Sequence, residues 1–275
     1  MESGLGDLVD LLRGRRFVAL TGAGCSTESG IPDYRGQGRT GPRNPIQHDA
    51  YLRREEVRRR YWARATLGWA RFSGAHPNAA HEALATLERA GASTGIITQN
   101  VDRLHRAAGS QRVVELHGAL ADVRCLSCAR LEPRAAIHER LCAANPGWLT
   151  RVAAPTPDGD ADLPDDAVAE FRLVACVVCD GVLKPDVVFF GGSVGEATMT
   201  EAWSLLDASA ALLVVGSSLT VYSGFRFVRR AHELGLPVAL LNDGPTRADD
   251  LVDVRVAARA GDVLPQLAEA LTRDA

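Results

Sequence analysis

Short apolar runs recur along the chain and are separated by amphipathic stretches. The runs are rich in β-branched and aliphatic residues, and their near-continuous apolarity is typical of parallel strands that are covered on both faces. They occupy Phe17–Leu20, Gly95–Thr98, Val113–Leu116, Ala211–Val215 and Pro237–Leu241. The pattern therefore predicts buried parallel strands rather than a half-exposed antiparallel sheet.

Helical periodicity lies between these runs. Leu84 and Leu87 are spaced i, i+3 within residues 79–90, and Phe227 and Ala231 are spaced i, i+4 within residues 223–234. Each pair therefore shares one helix face. Because strands that alternate with helices are typical of βαβ units, we expect an α/β fold, a Rossmann-like doubly wound parallel sheet.

Two stretches interrupt the alternation and predict a smaller inserted lobe. Residues 36–78 begin with a loop rich in Gly, Pro and Arg and continue into an Arg-rich helix at about residues 52–72. Residues 121–184 hold five of the six cysteines, and residues 145–166 are expected to form an extended loop. The larger domain is then predicted from residues 1–35, 79–120 and 185–275, and the small lobe from residues 36–78 and 121–184.

Composition and charge narrow the functional classes. Hydrophobic residues make up 46% of the 275 residues, charged residues 24%, and the formal net charge is -3. Without a global basic field, direct binding to nucleic acid is not expected. No secretory signal or bilayer-length apolar run is present, so we expect a cytoplasmic protein with no membrane contact. We also expect a monomer. Lys184 is the only lysine, so lysine-directed chemistry could hardly be self-directed.

The first predicted strand leads into a turn of small residues, Gly22-Ala23-Gly24-Cys25-Ser26. Such a turn lets the backbone approach a pyrophosphate, and the next helix points its N–H groups at the phosphate oxygens. Ser26 and Thr27 can cap that helix and donate to phosphate. A tight turn without a ligand is the alternative. The acidic residue that a Rossmann dehydrogenase carries about 20 residues further on is not evident, which argues against simple hydride transfer.

A stiff loop follows the turn, at Gly30-Ile31-Pro32-Asp33-Tyr34-Arg35-Gly36. Pro32 restricts the backbone, and the flanking glycines permit sharp turns. The loop presents Asp33, Tyr34 and Arg35, and we interpret it as a lid over a nucleotide. The alternative is a surface turn with an Asp–Arg pair.

Polar residues terminate several predicted strands. Gln99, Asn100 and Asp102 follow one strand, and the same pattern recurs at His117, Ser217 and Asn242. The carboxyl ends of strands in an open α/β sheet line the ligand crevice, which predicts a nucleotide site. A neutral imidazole at His117 can take a proton from a ribose hydroxyl. A histidine with a purely structural role is the alternative.

Two Cys-x-x-Cys pairs, at Cys125 with Cys128 and Cys176 with Cys179, predict a metal centre. Four thiolates at this spacing form a closed tetrahedral zinc site of structural type. An iron–sulfur cluster or a redox pair is the alternative. Cys142 is not expected to be a ligand, and we interpret Cys25 as a small filler of the glycine turn, with a reactive thiol as the alternative.

Taken together, these motifs and their order resemble the sirtuins, a family of NAD-dependent protein deacylases. The resemblance runs from about Leu20 to Gly261, and Tyr61-Trp62-Ala63-Arg64 and Lys184-Pro185-Asp186-Val187 are similar to the class II branch. It implies that the larger domain binds NAD and that the small lobe binds one zinc ion. The implied NAD-binding residues are Gly22, Ala23, Gly24, Ser26, Thr27, Asp33, Tyr34, Arg35, Gln99, Asn100, Val101, Asp102, Gly216, Ser217, Ser218, Asn242, Asp243, Gly244 and Ala260.

The resemblance also implies a reaction. The acyl-lysine oxygen attacks the ribose of NAD and nicotinamide leaves. A ribose hydroxyl then captures the imidate carbon, and water completes the release of lysine and O-acyl-ADP-ribose. His117 is implied as the general base, with Asn100 and Asp102 in the catalytic set. The acyl-lysine protein substrate is implied to lie as an added strand against Val187, Val188, Phe189 and Phe190 on one side and residues 219–223 on the other.

Tyr61 and Arg64 share a helix face, so that they could bind the carboxylate of a dicarboxyl-type acyl group. A solvated arginine face is the alternative for Arg64. For the whole chain, two alternatives stay open at this point: protein mono-ADP-ribosyl transfer at the same NAD site, and an NAD-binding module without catalysis.

Overall fold

The computed structural model describes residues 2–33, 45–151, 154–155, 161–162 and 168–273. Tyr34, Arg35 and half of the loop predicted at residues 145–166 lie outside these ranges. The chain forms two compact units. The first comprises Met1–Gln37, His76–Leu116 and Val194–Ala275, and the second comprises Gly38–Ala75 and His117–Ser193.

The strands and helices are numbered here in chain order. The strands are β1 (Phe17–Thr21), β2 (Ser93–Thr98), β3 (Val113–Glu115), β4 (Gly118–Cys125), β5 (Leu131–Pro133), β6 (Ala154–Pro155), β7 (Ala161–Asp162), β8 (Leu183–Val187), β9 (Ala211–Val215), β10 (Val238–Leu241) and β11 (Val254–Val256). The helices are α1 (Glu2–Leu12), α2 (His48–Arg53), α3 (Glu55–Ser73), α4 (Ala79–Arg89), α5 (Leu104–Ala107), α6 (Arg134–Ala144), α7 (Glu196–Asp207), α8 (Tyr222–Glu233) and α9 (Ala260–Thr272). None of these helices combines the length and the apolarity needed to cross a bilayer.

The first unit is built on a parallel sheet, which confirms the predicted fold class. Within the described residues the strand order is β11-β10-β9-β1-β2-β3, and every neighbouring pair is parallel. Successive strands run outwards from β1 in one direction and from β9 in the other. The boundary between β1 and β9 is therefore the topological switch point, where doubly wound sheets bind ligands at the carboxyl ends of their strands.

Apolar side chains on alternate faces of the sheet explain why helices cover both sides. Phe17 and Ala19 of β1 lie in one core with residues of α1, α4 and α9, whereas Val18 and Leu20 lie in a second core with residues of α7 and α8. All residues of β1 and β9 are buried. These continuous apolar runs are the signal that predicted both strands.

The second unit contains the antiparallel sheet β5-β4-β8, which packs with α2, α3 and α6 around its own core. Arg134 is buried in this unit, its guanidinium lying 4.7 Å from the ring centroid of Trp62. This antiparallel sheet explains why the boundaries of the two units differ from those predicted for the larger domain and the small lobe. Residues 117–120 and 185–193 belong to the second unit because β4 pairs with β8.

The predicted Arg-rich helix is divided in the structure. Helix α2 ends at Arg53 and α3 begins at Glu55, because Arg54 has extended backbone angles (φ -122°, ψ 121°) between them. The prediction of one continuous helix over residues 52–72 was therefore wrong at its beginning.

Candidate active site and metal centre

The glycine turn after β1 lies directly against the turn after β9. The N–H of Gly22 donates to the oxygen of Val215 (3.0 Å), and the N–H of Gly24 donates to the oxygen of Gly216 (2.8 Å). A Cβ at Gly22 would lie 2.7 Å from the Cβ of Ser217. Small residues are needed here because two backbones meet at the switch point.

The expected α-helix does not follow this turn. Short 3₁₀ turns at Ala23–Cys25 and Thr27–Ser29 take its place, and Ser26 makes no side-chain capping bond. The hydroxyl of Thr27 instead donates to the oxygen of Gly24 at 3.0 Å. The prediction of a capped helix was wrong, since Gly30 takes a left-handed φ of 82° and Pro32 disfavours helical angles at the residue before it.

Polar side chains that follow β1 and β2 bond to one another. Asn100 is buried, and its Nδ2 donates to the oxygen of Gly22 and to Oγ of Ser26, both at 3.0 Å. Ser26 Oγ donates to Asp102 Oδ2 at 2.7 Å, and Asp102 also accepts from the N–H of Leu104. The structure therefore places these predicted site residues in one network.

The same edge of the sheet includes the residues after β9. Ser217 Oγ donates to Gln99 Oε1 at 2.7 Å, and a Cβ at Gly224 would lie 2.6 Å from the amide of Gln99. The side chain of Gln99 is thus held between the turn after β9 and the start of α8. Amide, hydroxyl and carboxylate groups converge at the switch point. This set of hydrogen-bond donors and acceptors fits a dinucleotide with its amide and ribose hydroxyls.

The other described residues predicted to bind NAD also belong to the first unit. Asn242 follows β10, and its Nδ2 donates to the oxygen of Gly244 at 2.8 Å. Ala260 begins α9, where the next N–H, that of Gly261, donates to Glu28 at 3.0 Å. Asp33, Val101, Ser218 and Asp243 lie in loops of this unit. A direct role of each residue in NAD binding stays a prediction.

Two buried histidines, His81 and His105, support the network; their sequence context predicts only that they cap or pack, with no role in the site. Thr21 Oγ1 lies 2.8 Å from both Thr98 Oγ1 and His105 Nε2, and Ser26 Oγ lies 3.4 Å from His81 Nε2. Burial lowers the pKa of His81 to about 4 and lowers that of His105, so both rings are neutral at pH 7. The sequence signal that could have found these histidines is the pair of threonines, Thr21 and Thr98, that end β1 and β2. The register between the two strands cannot be read from the sequence.

Cys25 is part of the same buried region. Burial raises the pKa of its thiol well above the ordinary value, so the interpretation as a packed filler agrees with the structure and a reactive thiolate does not. Its sulfur and one ring nitrogen each of His81 and His105 lie within 4.8 Å of one another. Because His105 bonds to Thr21 and His81 to Asn78, we interpret this group as support for the turn.

Replacing Gly216 with alanine tests how closely the two turns approach. Gly216 has φ of 60°, and a Cβ there would lie 2.4 Å from the nitrogen of Cys25. We expect a stability loss of about 3 kcal/mol or more, of which the left-handed backbone accounts for about 1–2 kcal/mol. Urea unfolding measures it. Gly235→Ala is the matched control, since Gly235 has φ of 66° and no atom within 4 Å of its Cβ position; equal losses in both variants would contradict a steric role.

In the second unit, His117 stands at the start of β4. The preceding residue, Leu116, donates its N–H to the oxygen of Thr98 at 2.9 Å, and the oxygen of His117 accepts from the N–H of Val188 at 2.9 Å. Gly118 has φ of 73°, and a Cβ there would lie 2.0 Å from the oxygen of Asp186. Glycine must follow His117 because the strand β8 passes so closely.

The segment predicted to bind the acyl peptide also lies in the second unit. Val187 ends β8, and Phe189 packs against two tyrosines, with ring centroids 5.0 Å from Tyr51 and 5.4 Å from Tyr61. Tyr61 is buried, and Arg64 lies half-buried about one turn further along α3. The structure thus brings Tyr61 into contact with the predicted substrate segment.

The four predicted metal ligands converge in the second unit. The sulfurs of Cys125, Cys128, Cys176 and Cys179 all lie within 4.8 Å of one another. Cys125 and Cys179 are 3.5 Å apart, and Cys128 and Cys176 are 3.7 Å apart. Tetrahedral zinc with Zn–S bonds of about 2.3 Å needs sulfurs roughly 3.8 Å apart.

Local hydrogen bonds also suit a thiolate centre. The backbone N–H groups of Cys128 and Ser127 lower the pKa of Cys125. The Gly181 N–H lowers the pKa of Cys179, but the sulfurs of Cys128 and Cys125 raise it above its ordinary value. A thiolate is thus favoured at Cys125, and metals bind thiolates rather than thiols. Cys142 lies outside the cluster, 3.6 Å from Nε2 of His138. The residues therefore fit one structural zinc ion, as predicted.

The fold and its two sites define a class of protein: a Rossmann-like α/β protein with a polar site at the switch point and a tetrathiolate metal centre in a second unit. The model of the Sir2 family matches residues 22–223. The "NAD-dependent protein deacetylase" of Xanthomonas axonopodis pv. citri (strain 306) is 54% identical over 89% of this chain and 84% of that protein.

A second relative extends over nearly the whole chain. The "NAD-dependent protein deacetylase 1" of Streptomyces coelicolor (strain ATCC BAA-471 / A3(2) / M145) is 51% identical over 97% of this chain and 90% of that protein. A solved Sir2 complex with a p53 peptide and NAD+ is 30% identical, with a TM-score of 0.76 over 96% of this chain and 97% of that one. The chain belongs to the Sir2 family.

Proposed function

We propose that this chain is an NAD-dependent protein lysine deacylase that transfers the acyl group of lysine to ADP-ribose, with release of nicotinamide and O-acyl-ADP-ribose. The observation that carries the proposal is the polar network at the switch point, in a chain about half identical to curated NAD-dependent deacetylases. NAD supplies the ribose that accepts the acyl group and the nicotinamide that leaves.

Each unit contributes residues with different tasks. In the first unit, the turn from Gly22 to Ser26 binds the pyrophosphate, Gln99, Asn100 and Asp102 bind the carboxamide and the adjoining ribose, and the residues after β9 and β10 bind the adenosine side. The contacts of Asn100 with Gly22 and Ser26 support this assignment, because they order the side chains before the ligand binds.

In the second unit, His117 is the general base that removes a proton from a ribose hydroxyl, which then captures the acyl carbon. Water completes the release of lysine and leaves the acyl group on ADP-ribose. Two backbone hydrogen bonds support this role, one from the N–H of Leu116 to the oxygen of Thr98 and one from the N–H of Val188 to the oxygen of His117. They hold the backbone at His117, and a base must be held at a fixed position. The segment from Val187 to Phe190 binds the acylated peptide as an added strand. The zinc ion is structural, because four thiolates leave no open coordination position.

Labelled NAD distinguishes deacylation from the alternative of mono-ADP-ribosyl transfer. With label in the ADP-ribose half, we expect label in free O-acyl-ADP-ribose and a matching amount of deacylated peptide, both read by mass spectrometry. Label bound to protein in place of the acyl ester would contradict the proposal. The transferase is not favoured, because the matched relatives described above carry the deacetylase name.

For the acyl group, we infer a preference for dicarboxyl-type chains such as glutaryl or methylglutaryl. Tyr61 contacts the substrate segment through Phe189, and Arg64 lies on the same helix. Arg64 can bind the distal carboxylate with two parallel hydrogen bonds.

Arg64→Met tests this preference. We expect the ratio of kcat/KM for glutaryl peptide to that for acetyl peptide to fall by roughly 10- to 150-fold, since a charge-assisted hydrogen bond is worth about 1.5–3 kcal/mol. Arg59→Met is the control, because Arg59 lies on the same helix and pairs with Glu55 at 2.6 Å. An unchanged ratio in Arg64→Met rules the preference out.

Three properties stay predictions from the sequence: that the enzyme is monomeric, that it is cytoplasmic and that it does not bind nucleic acid directly. Light scattering of the purified chain measures the first of these properties, and cell fractionation measures the second.

A further inference from the structure

Lys184 is the one lysine of the sequence, and it is buried in the second unit. A buried ammonium group needs partners to replace its lost water. Its Nζ donates to the oxygens of Pro185 (3.1 Å) and Val187, and it lies 4.6 Å from the ring centroid of Phe189. All three partners belong to the segment that immediately follows Lys184.

One peptide unit connects this ammonium group to His117. The oxygen of Val187 and the N–H of Val188 belong to the same planar trans peptide, so they point in opposite directions. The oxygen accepts from Lys184, and the N–H donates to the oxygen of His117 at 2.9 Å. A cation on one side polarises the peptide and strengthens the hydrogen bond on the other side.

The backbones on both sides of this bond are packed without spare room. A Cβ at Gly118 would lie 2.0 Å from the oxygen of Asp186, and Gly118 stands opposite Val187 in the register of β4 and β8. A shift of the peptide after Val187 therefore displaces the backbone at His117 as well.

We propose that Lys184 is a positioning residue: its ammonium group holds the peptide between Val187 and Val188, and through it the backbone of His117 and the segment that binds the acyl peptide. This inference rests on the proposed role of His117 as general base.

The surroundings of Lys184 give the proposal a pH signature. Burial lowers the pKa of Lys184 to about 8, an effect that Asp186 opposes and Arg124 reinforces. Tyr51 donates its hydroxyl to the oxygen of Leu183, and burial raises the pKa of this tyrosine, so it stays neutral. Lys184 is therefore mainly charged at pH 7 and loses its charge as the pH rises through about 8.

Steady-state kinetics from pH 6 to 10 test the proposal with three variants. Lys184→Met keeps the apolar stem and should lower kcat about tenfold or more, which is the effect of losing a charge-assisted hydrogen bond, with the KM for NAD within about twofold. Lys184→Arg keeps the charge, so it should recover most of this loss and lack the decline of wild-type kcat above pH 8.

The third variant, Arg124→Gln, is the matched control. It removes a cation that pairs with Asp186 on the same sheet but does not bond to the peptide after Val187, so kcat at pH 7, where Lys184 is charged, should stay within about twofold. A loss as large as that of Lys184→Met would overturn the proposal, as would wild-type kcat in Lys184→Met.

A spectroscopic measurement covers the case in which Lys184→Met fails to fold. Protein labelled with ¹⁵N-lysine gives one side-chain Nζ signal, because the sequence holds one lysine, and its titration should have the same midpoint as the decline of kcat. Different midpoints, or an unchanged decline in Lys184→Arg, overturn the proposal. If His117→Asn is as active as wild type, the proposed function of His117 fails; if it is inactive and Lys184→Met is normal, only the present inference fails.

Discussion

His117→Tyr should lower kcat/KM for acyl-peptide by about 10²–10⁴-fold, the range that a general base contributes. NAD affinity, measured by calorimetry, should stay within a few-fold, because the residues proposed to bind NAD belong to the other unit. The exchange of free nicotinamide into NAD should also persist, since nicotinamide leaves before the base acts in the proposed reaction. Measuring both steps distinguishes a catalyst from an NAD-binding module.

Two further variants make this result interpretable. In His117→Asn the new side chain is smaller than tyrosine and cannot act as a base. This variant should be as inactive as His117→Tyr, although it adds no side-chain volume to the site. His232→Ala alters an exposed histidine on α8 and should match wild type. If either His117 variant keeps more than about a tenth of the wild-type kcat/KM, general-base catalysis by His117 is wrong.

Cys125→Ser should abolish zinc binding and destabilise the second unit, because a structural tetrathiolate site contributes on the order of 10 kcal/mol to folding. The zinc content by atomic emission should fall from about one ion per chain to nearly none. Limited proteolysis should then cleave first within residues 117–193, which belong to the second unit. Deacylase activity should be lost with the fold.

The matched control for this prediction is Cys142→Ser. Cys142 lies on α6, outside the group of four sulfurs, so its replacement should leave the zinc content and the proteolysis pattern unchanged. Retention of one zinc ion by Cys125→Ser, with normal resistance to protease, would contradict a structural role for the metal.

Several elements could be predicted because their signal is local. The runs at Phe17–Leu20 and Ala211–Val215 are continuous and apolar, and the structure makes them the central strands β1 and β9. The cysteine spacing likewise predicted four ligands that the structure brings together. In these cases the pattern itself carries the physical constraint: burial on both faces, or a thiolate pair on one turn.

Other features could not be predicted because their cause is non-local. Strand β11 has three residues with Arg255 at its centre, and it is a strand because β10 pairs with it. Ser26 resembles a helix cap in sequence, but its hydroxyl bonds to Asp102, 76 positions away. The prediction of a continuous helix across Arg54 was wrong for a similar reason. Helical propensity is a local property, and it does not show that the backbone becomes extended at Arg54.

The sequence by itself determined the class of fold, the four cysteines of the candidate metal centre and the family, because apolar runs, paired cysteines and motif order are written along the chain. Only the tertiary structure decided which groups act on one another. Thr21 meets His105, Asn100 meets Gly22, and Lys184 holds the peptide that bonds to His117. These contacts depend on strand register and on which backbone segments come within hydrogen-bonding distance of each other. The spacing of residues along the chain specifies neither the register nor these approaches.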